Sequence, residues 1–462
     1  MNHRAPVCGP NPLGYEKLPK LLRSYAVPSV ISMLVGALYN IVDQIFIGQG
    51  VGYLGNAATN VAFPLTTICF SIMLLISIGT ASRFSLELGA GRRESAAETV
   101  GNAFIMMTAA GIGFLVLVQI FCRPLLLLFG GTPEVMPYAE TYTRITVIGM
   151  PLMMAVNGMS HIARADGSPR FSMLCLVTGA VVNTVLDPIF IFGFGWGVAG
   201  AAWATVISQA VSFLIALAYI PRFKQIRLTR RIFRPQPAVM RRIAAYGMSN
   251  SINQLSLTFV QIVLNNTLAY YGAMSEYGSD IPLAACGIVL KCNAVLLGFI
   301  IGISQGTQPI VGFNYGAGRY ARVRGIYRLA VTCDIVIATV GFLIFQIFPR
   351  QIISLFGTGD PLYFEFASRF MRIYLLMLPV NGVQMLSSNF FSAIGKPLKG
   401  AFLSLSRQVL FLIPLILLFS FFWGTDGILF SAPVADLTAF LVTTVFVMKE
   451  LARMRRLEKE RL

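Results

Sequence analysis

Twelve apolar runs divide this 462-residue chain, near residues 24–48, 57–84, 98–122, 141–162, 172–192, 200–220, 243–270, 283–309, 325–348, 364–390, 401–421 and 428–448. Each is close to the ~20 residues that a helix needs to cross a bilayer, and each is bounded by Gly, Pro or a cluster of charges. A backbone in hydrocarbon must satisfy its own hydrogen bonds, so runs of this length restrict the chain to a bundle of spanning helices. Composition agrees. The chain is 56% hydrophobic and 12% charged, about half the charge of a soluble domain, with a mean hydropathy of +0.72. So few ionic side chains exclude a water-soluble enzyme, a disordered tail and a secreted disulfide scaffold.

The net charge of +17 suggests nucleic acid until its distribution is examined. With the N-terminus placed in the cytoplasm, the segments on that side (1–23, 83–97, 163–171, 221–242, 316–328, 395–400 and 449–462) hold 29 Lys and Arg, whereas the opposite segments hold Arg123 and Arg350. This is the positive-inside pattern, and it puts both termini in the cytoplasm. The basic excess then faces cytosol and anionic headgroups, so the partner is the lipid bilayer and not nucleic acid. Residues 1–23 lack the short apolar core of a secretory signal, so the first span itself directs insertion. Of the seven cysteines, Cys69, Cys122, Cys175, Cys286, Cys292 and Cys333 lie within apolar runs without CxxC spacing, which reads as small buried hydrophobes with no metal or redox role.

The chain also repeats itself. At an offset of 227, Ile76-Ser77-Ile78-Gly79-Thr80 through Gly89-Ala90-Gly91-Arg92 overlays Ile303-Ser304-Gln305-Gly306-Thr307 through Gly316-Ala317-Gly318-Arg319, with eight of 17 positions identical. The same offset pairs Trp196-Gly197 and Gly200 with Trp423-Gly424 and Gly427, and Asn157-Gly158 with Gly167-Ser168-Pro169 is echoed by Asn381-Gly382 with Gly395-Lys396-Pro397. Six spans per copy give both copies the same orientation, related by an axis along the membrane normal. The fold expected is all-α and polytopic, with twelve transmembrane helices in two parallel six-helix lobes. The organisation expected is an N-terminal lobe at 1–220, a basic cytoplasmic linker at 221–242, a C-terminal lobe at 243–448 and a basic cytoplasmic tail at 449–462. Two such lobes around a midplane cavity are the architecture of alternating access.

Ionisable groups inside spans cost about 2.5–3.5 kcal/mol each on insertion scales, so each needs a reason. Asp43 falls in the middle of the first span and Asp187 in the fifth. Asn40, three residues before Asp43, and Asn183, four before Asp187, share a helix face with their acids. Pro188 cannot donate to the carbonyl of Thr184, which leaves a backbone oxygen open beside Asp187, and Thr205 of the sixth span offers a hydroxyl. All of these are oxygen donors, suited to a proton or a hard cation such as Na+. With no basic residue at that depth in the first lobe, desolvation and mutual repulsion favour a shared proton or a bound cation, which makes Asp43, Asp187, Asn183, Thr205 and Asn40 the expected ion-coupling set.

The second lobe differs, because its buried charges are mixed: Lys291, Asp334, Arg407 and Asp436. Ion pairing and substrate contact weigh about equally there. Lys291, Gln209, Asp436 and Gln254 are the candidate substrate contacts. Pro28 and Pro188 are candidate hinges, since a proline inside a span permits bending. His161, beside Arg164 at a span end, reads as a solvated interfacial histidine. The Gly-Ala-Gly-Arg turns follow helices and are not phosphate loops.

Taken together, these residues resemble the multidrug and toxic compound extrusion (MATE) family, in particular its bacterial DinF-like and MepA-like branch. The resemblance rests on Pro28 followed by Asn40-Ile41-Val42-Asp43 and Phe46-Ile47-Gly48, on Gly79-Thr80 to Gly91-Arg92, on Ala165-Asp166-Gly167-Ser168-Pro169, on Asn183 to Pro188, and on Gly197-Val198-Ala199-Gly200-Ala201-Ala202. It covers residues 20–448 and implies twelve helices in two lobes in a bacterial inner membrane, antiport of drugs against H+ or Na+ and a first-lobe cation site of Asp43, Asn183, Asp187 and Thr205. Another branch of the family keeps coupling carboxylates in the seventh and tenth helices. Here 243–270 contains no acid and 364–390 only Glu365.

The function expected is secondary active export of cationic amphiphilic drugs by a monomer with no cofactor beyond the coupling ion, and no enzymatic activity. The rivals are a major-facilitator-type carrier, a flippase for lipid-linked oligosaccharides and, from another class, an intramembrane enzyme or a channel. An enzyme would need a catalytic set such as HExxH, and the chain has two histidines.

Overall fold

The computed structural model of the chain describes residues 11–355 and 361–460, so the first ten residues of the expected N-terminal lobe and the last two of the basic tail lie outside the described residues. Fifteen α-helices follow one another, with no strand among the described residues: α1 (Pro12–Tyr15), α2 (Leu18–Val51), α3 (Tyr53–Gly89), α4 (Arg93–Leu128), α5 (Met136–Ala165), α6 (Pro169–Pro188), α7 (Gly197–Leu217), α8 (Pro237–Ala273), α9 (Asp280–Gly316), α10 (Tyr320–Ile347), α11 (Pro349–Ser354), α12 (Pro361–Tyr374), α13 (Leu378–Ala393), α14 (Pro397–Leu405) and α15 (Ile413–Lys459). Nine helical stretches of the described residues are long and apolar enough to cross a membrane, and one of them, Pro397–Lys459, contains two of the twelve runs.

One run behaves differently from the sequence expectation. The run 364–390 is not one helix: α12 stops at Tyr374, a short turn follows, and α13 restarts with Pro379 in its first turn. Pro379 has no N–H with which to continue the preceding helix, and α12 itself is amphipathic, burying Phe366, Ala367, Phe370, Met371 and Tyr374 while Arg369 pairs with Asp426 at 2.8 Å. The runs 401–421 and 428–448 follow one another in the stretch Pro397–Lys459 and are separated, as expected, by a kink at Gly424, whose φ of 57° is left-handed.

The internal repeat is visible in the backbone. Gly424 is matched by Gly197 with φ 58°, and the Gly91 turn (φ 77°) by the Gly318 turn (φ 70°). In those turns the amide of Arg92 donates to the Glu87 carbonyl at 2.9 Å and that of Arg319 to the Asn314 carbonyl at 2.8 Å, which closes α3 and α9 in the same way.

The two copies meet along a seam of close helix contacts. A Cβ on Gly79 of α3 would collide with the Ile243 carbonyl of α8, and one on Gly306 of α9 would collide with Ala26 of α2. One turn away, Gly302 faces the backbone of Val30, and Gly247 faces the Leu75 carbonyl. At the helix ends Gly89 abuts Phe313 and Gly316 abuts Leu86. Small residues let backbones approach in this way within a membrane, where packing has to supply the association. Arg164 of α5, 2% exposed, adds a polar tie across the seam by donating to Gln305 Oε1 of α9 at 2.9 Å. His161 beside it is 6% exposed, so the interfacial histidine is buried among these helices and not solvated.

The first and last described residues share one face. Arg322 at the start of α10 donates to the Glu16 carbonyl at 2.7 Å, and Arg324 pairs with Glu458 at 2.6 Å. We call this the basic face, because residues 221–236 also lie there.

Candidate functional site

The first copy brings its two acids together. Asp43 sits about two turns before the end of α2, and Asp187 is the last residue but one of α6, next to Pro188. Because proline offers no N–H to the Thr184 carbonyl, regular α-helix gives way to the wider π-helical turn Ile189–Gly193 immediately after the acid. Asp187 is 0% exposed and Asn183 1%, whereas Asp43 is half-buried. The two carboxyl groups stand within hydrogen-bonding reach of each other. Asn183 Nδ2 donates to Asp187 Oδ1 at 3.3 Å and to Thr205 Oγ1 of α7 at 3.4 Å, so one amide ties two helices to the acid pair.

Three oxygens at this junction are buried with no hydrogen-bond partner: Asp43 Oδ1, Asn183 Oδ1 and Asp187 Oδ2. The groups acting on the two carboxylates are each other and Asn183, and no Lys, Arg or His of the described residues is among them. A buried acceptor without a donor is costly. Two such carboxylates side by side are stable only when a proton or a cation lies between them. The donor set is all oxygen, which fits a proton or Na+ and gives a soft metal no ligand.

Asn40 lies apart from this set, with an exposed side chain and Nδ2 donating to the Gly36 carbonyl of its own helix at 2.7 Å. Two neighbours were missed by sequence reasoning. Tyr39 and Tyr142 both lie within electrostatic reach of Asp43 and Asp187. Tyr39 precedes Asp43 by one helical turn, a spacing that could have been read; Tyr142 comes from α5 and carries no such signal. Beyond the acids, Ile47, Ile191 and Ala201 form a small apolar plug with Phe46 and Tyr142 packed against it. Pro28, the other hinge candidate, is buried within an unbroken α2.

The second copy treats its charges otherwise. Arg407, in the π-helical turn Ser406–Leu412 between α14 and α15, donates through Nε to Asp436 Oδ1 at 2.6 Å, with side chains 14% and 4% exposed. The repeat offset aligns Asp436 with Gln209 of α7, whose Oε1 is buried without a partner beside Gly149. Lys291 is exposed on α9, and Gln254 is half-buried on α8. Neither joins the Arg407 pair or the acid site. Asp334 of α10 is 0% exposed, with both oxygens unpartnered.

The MatE family model matches this chain over residues 28–189 and 251–418, one segment in each copy. Among relatives, the multidrug export protein MepA of Staphylococcus aureus is 24% identical over 451 residues, covering 94% of both chains. The FAD transporter of Shewanella oneidensis is 26% identical over 432 residues, covering 90% of this chain and 92% of its own. Two solved structures share the fold at 23% identity. One is a MOP superfamily transporter from Pyrococcus furiosus described as having a binding pocket of reversed polarity, with a TM-score of 0.89 over 96% of this chain and 98% of the other. The second, an outward-facing multidrug resistance MATE family transporter, has a TM-score of 0.90 over the same shares.

Proposed function

Since the chain belongs to the MatE family, whose members are transporters and not enzymes, we propose that it exports cationic amphiphilic compounds from a bacterial cell in exchange for H+ or Na+ bound at Asp43 and Asp187. The observation that carries this reading is the set of three unpartnered buried oxygens on Asp43, Asn183 and Asp187, with no basic side chain of the described residues against them. Such a site attracts a cation and releases it when another takes its place. The basic face is then cytoplasmic, as the distribution of Lys and Arg predicts. Residues 1–220 and 243–448 act as the rocking lobes, 221–242 as their linker and 449–462 as a tail. The close contacts of α2 with α9 and of α3 with α8 keep the cytoplasmic side shut, which supports an outward-open arrangement.

Coupling follows from competition. A proton or Na+ held between Asp43 and Asp187 removes the negative charge that a cationic drug would meet, so loading one ligand disfavours the other. Pro188 and its π turn place flexible backbone next to the acids, where a bound ion can bias the helix. Exchange of one H+ for one monovalent drug moves no net charge. The membrane potential, worth about 2.3 kcal/mol per charge per 100 mV, would contribute nothing to it.

A second reading, export of an anionic dinucleotide, is favoured by the relatedness to an FAD transporter and by the exposed Lys291. The acid pair argues for cations. Purified protein in liposomes, with pH and sodium gradients imposed separately, tests both readings. Uptake of a fluorescent cation that follows one gradient and is lost in Asp43→Asn and Asp187→Asn supports the proposal. Transport of FAD with no transport of the cation, or normal cation transport by both variants, overturns it.

A further inference from the structure

The basic face holds a cavity of about 500 Å3 that lies apart from the acid pair, between the start of α4 and the segment that follows α7. Arg93, Glu94 and Glu98 line it from α4, and Arg227 and Arg231 from the opposite wall. None of these five side chains is in an ion pair among the described residues. Beneath them the floor is apolar, with Ala97, Ile226 and Ile232 buried.

The far wall is anchored, not loose. Asp166, 0% exposed, accepts from Tyr219 Oη and the Lys224 amide at 2.7 Å and from the Gln225 amide at 3.0 Å. Asn102 Oδ1 accepts from the Gln236 amide at 2.7 Å, and Gly101 packs against the Ile232 carbonyl. Buried polar groups that hold backbone amides on both sides fix the wall to the first copy, so the cavity keeps its shape. The same segment carries an exposed ring: Phe233, 46% exposed, lies 6.2 Å from the ring of Phe104, eleven residues into α4 from Arg93. That is about 16 Å along the helix and inside the apolar run 98–122, so a lipid held in the cavity has apolar surface beside it.

We propose that this cavity binds the headgroup of a phospholipid that bears both a phosphate and a primary ammonium, with the phosphate on Arg93, Arg227 and Arg231 and the ammonium on Glu94 and Glu98. Guanidinium forks match phosphate oxygens, and an N–H donor suits carboxylates. Lys224 also lines the cavity, so its basic groups outnumber its acids and hold a phosphate of any headgroup; a primary ammonium adds the contact to Glu94 and Glu98 that a quaternary ammonium, with no N–H, cannot make. The apolar floor and the exposed Phe233 favour a lipid over a soluble phosphate.

The test is native mass spectrometry of the full-length protein released from micelles holding equal amounts of phosphatidylethanolamine, phosphatidylglycerol and phosphatidylcholine. The ethanolamine lipid should be retained about tenfold over the choline lipid, the worth of one charge-assisted hydrogen bond. Glu94→Gln/Glu98→Gln should erase that preference, and Arg227→Gln/Arg231→Gln should weaken all three lipids. Equal retention of the three lipids by the unaltered protein overturns the proposal, whatever the variants do. So does full displacement by soluble phosphoethanolamine at equal concentration, which would assign the site to a soluble ligand. Binding is read without transport, so a failure of the export reading leaves this result standing.

Discussion

The two copies of the repeat solve the problem of buried charge in opposite ways. In the first, Asp43 and Asp187 face one another without a basic partner among the described residues, leaving oxygens unsatisfied. In the second, Asp436 is held by Arg407 at 2.6 Å, and the corresponding position of the first copy, Gln209, is uncharged. A neutralised pair reads as fixed scaffold, whereas the unneutralised pair is the one proposed to take up and release a cation. Asp334 of α10 stands outside this contrast, since it is buried in the second copy with both oxygens unpartnered.

The largest test of this contrast is functional. Asp43→Asn and Asp187→Asn should each reduce efflux of a fluorescent cation from cells to the level of cells without the protein, while the double variant Arg407→Met/Asp436→Leu keeps most of it. Efflux lost equally in all three would abolish the distinction between the halves. Next in size is a stability effect. Asp436→Ala alone strands the buried Arg407 and should cost about 3–5 kcal/mol, a loss that the double variant largely recovers, as read from thermal melting in detergent. A single variant as stable as the parent would show that the pair is not neutralising a buried charge.

A third comparison concerns the loops at the basic face. Asp166 precedes Gly167-Ser168-Pro169 and anchors the chain that follows α7, whereas the equivalent Gly395-Lys396-Pro397 loop is tied by an ion pair of Lys396 with Glu450. Burial raises the Asp166 carboxyl to about 6, only partly offset by hydrogen bonds from the Lys224 amide, Tyr219 and the Gln225 amide. The native state therefore binds this proton more tightly than the unfolded state. Stability should fall by about 3 kcal/mol as pH rises from 4 to 6, and level off above. Asp166→Asn removes the titrating group, so its melting curves should lack that step; an unchanged step would assign it to another group. Smallest are the seam glycines. Gly79→Ala and Gly306→Ala should each cost about 1–3 kcal/mol of the closed seam and speed labelling of a cysteine placed at Ser82, which accepts from Gln308 across the seam at 2.6 Å. Similar acceleration by the two variants is expected from the repeat, and a response confined to one would show that the two contacts are not equivalent.

Much of this was legible in the sequence, for reasons that differ by element. Twelve apolar runs and the offset of 227 show through because hydrocarbon tolerates few polar residues and because turns such as Gly91 and Gly318 need positive φ. Asn183 and Asp187 come together in the structure as helix spacing suggested, and Thr205 of α7 meets Asn183 through packing between helices. Asn40 does not join them, since a face shared along one helix does not fix which way a short amide turns when its own backbone offers an acceptor. Tyr142 was invisible because it reaches the acids from α5, a contact set by packing between helices. The break between α12 and α13 was hidden by the mean apolarity of 364–390, although the alternation of Arg369 and Arg372 with buried aromatics carried the amphipathic signal.

The seam has one more consequence. Gly302 provides the room for Val30, yet in the other copy the room is provided by Gly247, on the opposite partner, to receive Leu75. What has been inherited is a distance between two rods, and either rod can supply it. A comparison of letters between the copies passes over such a swap, although the molecule treats the two crossings as the same joint.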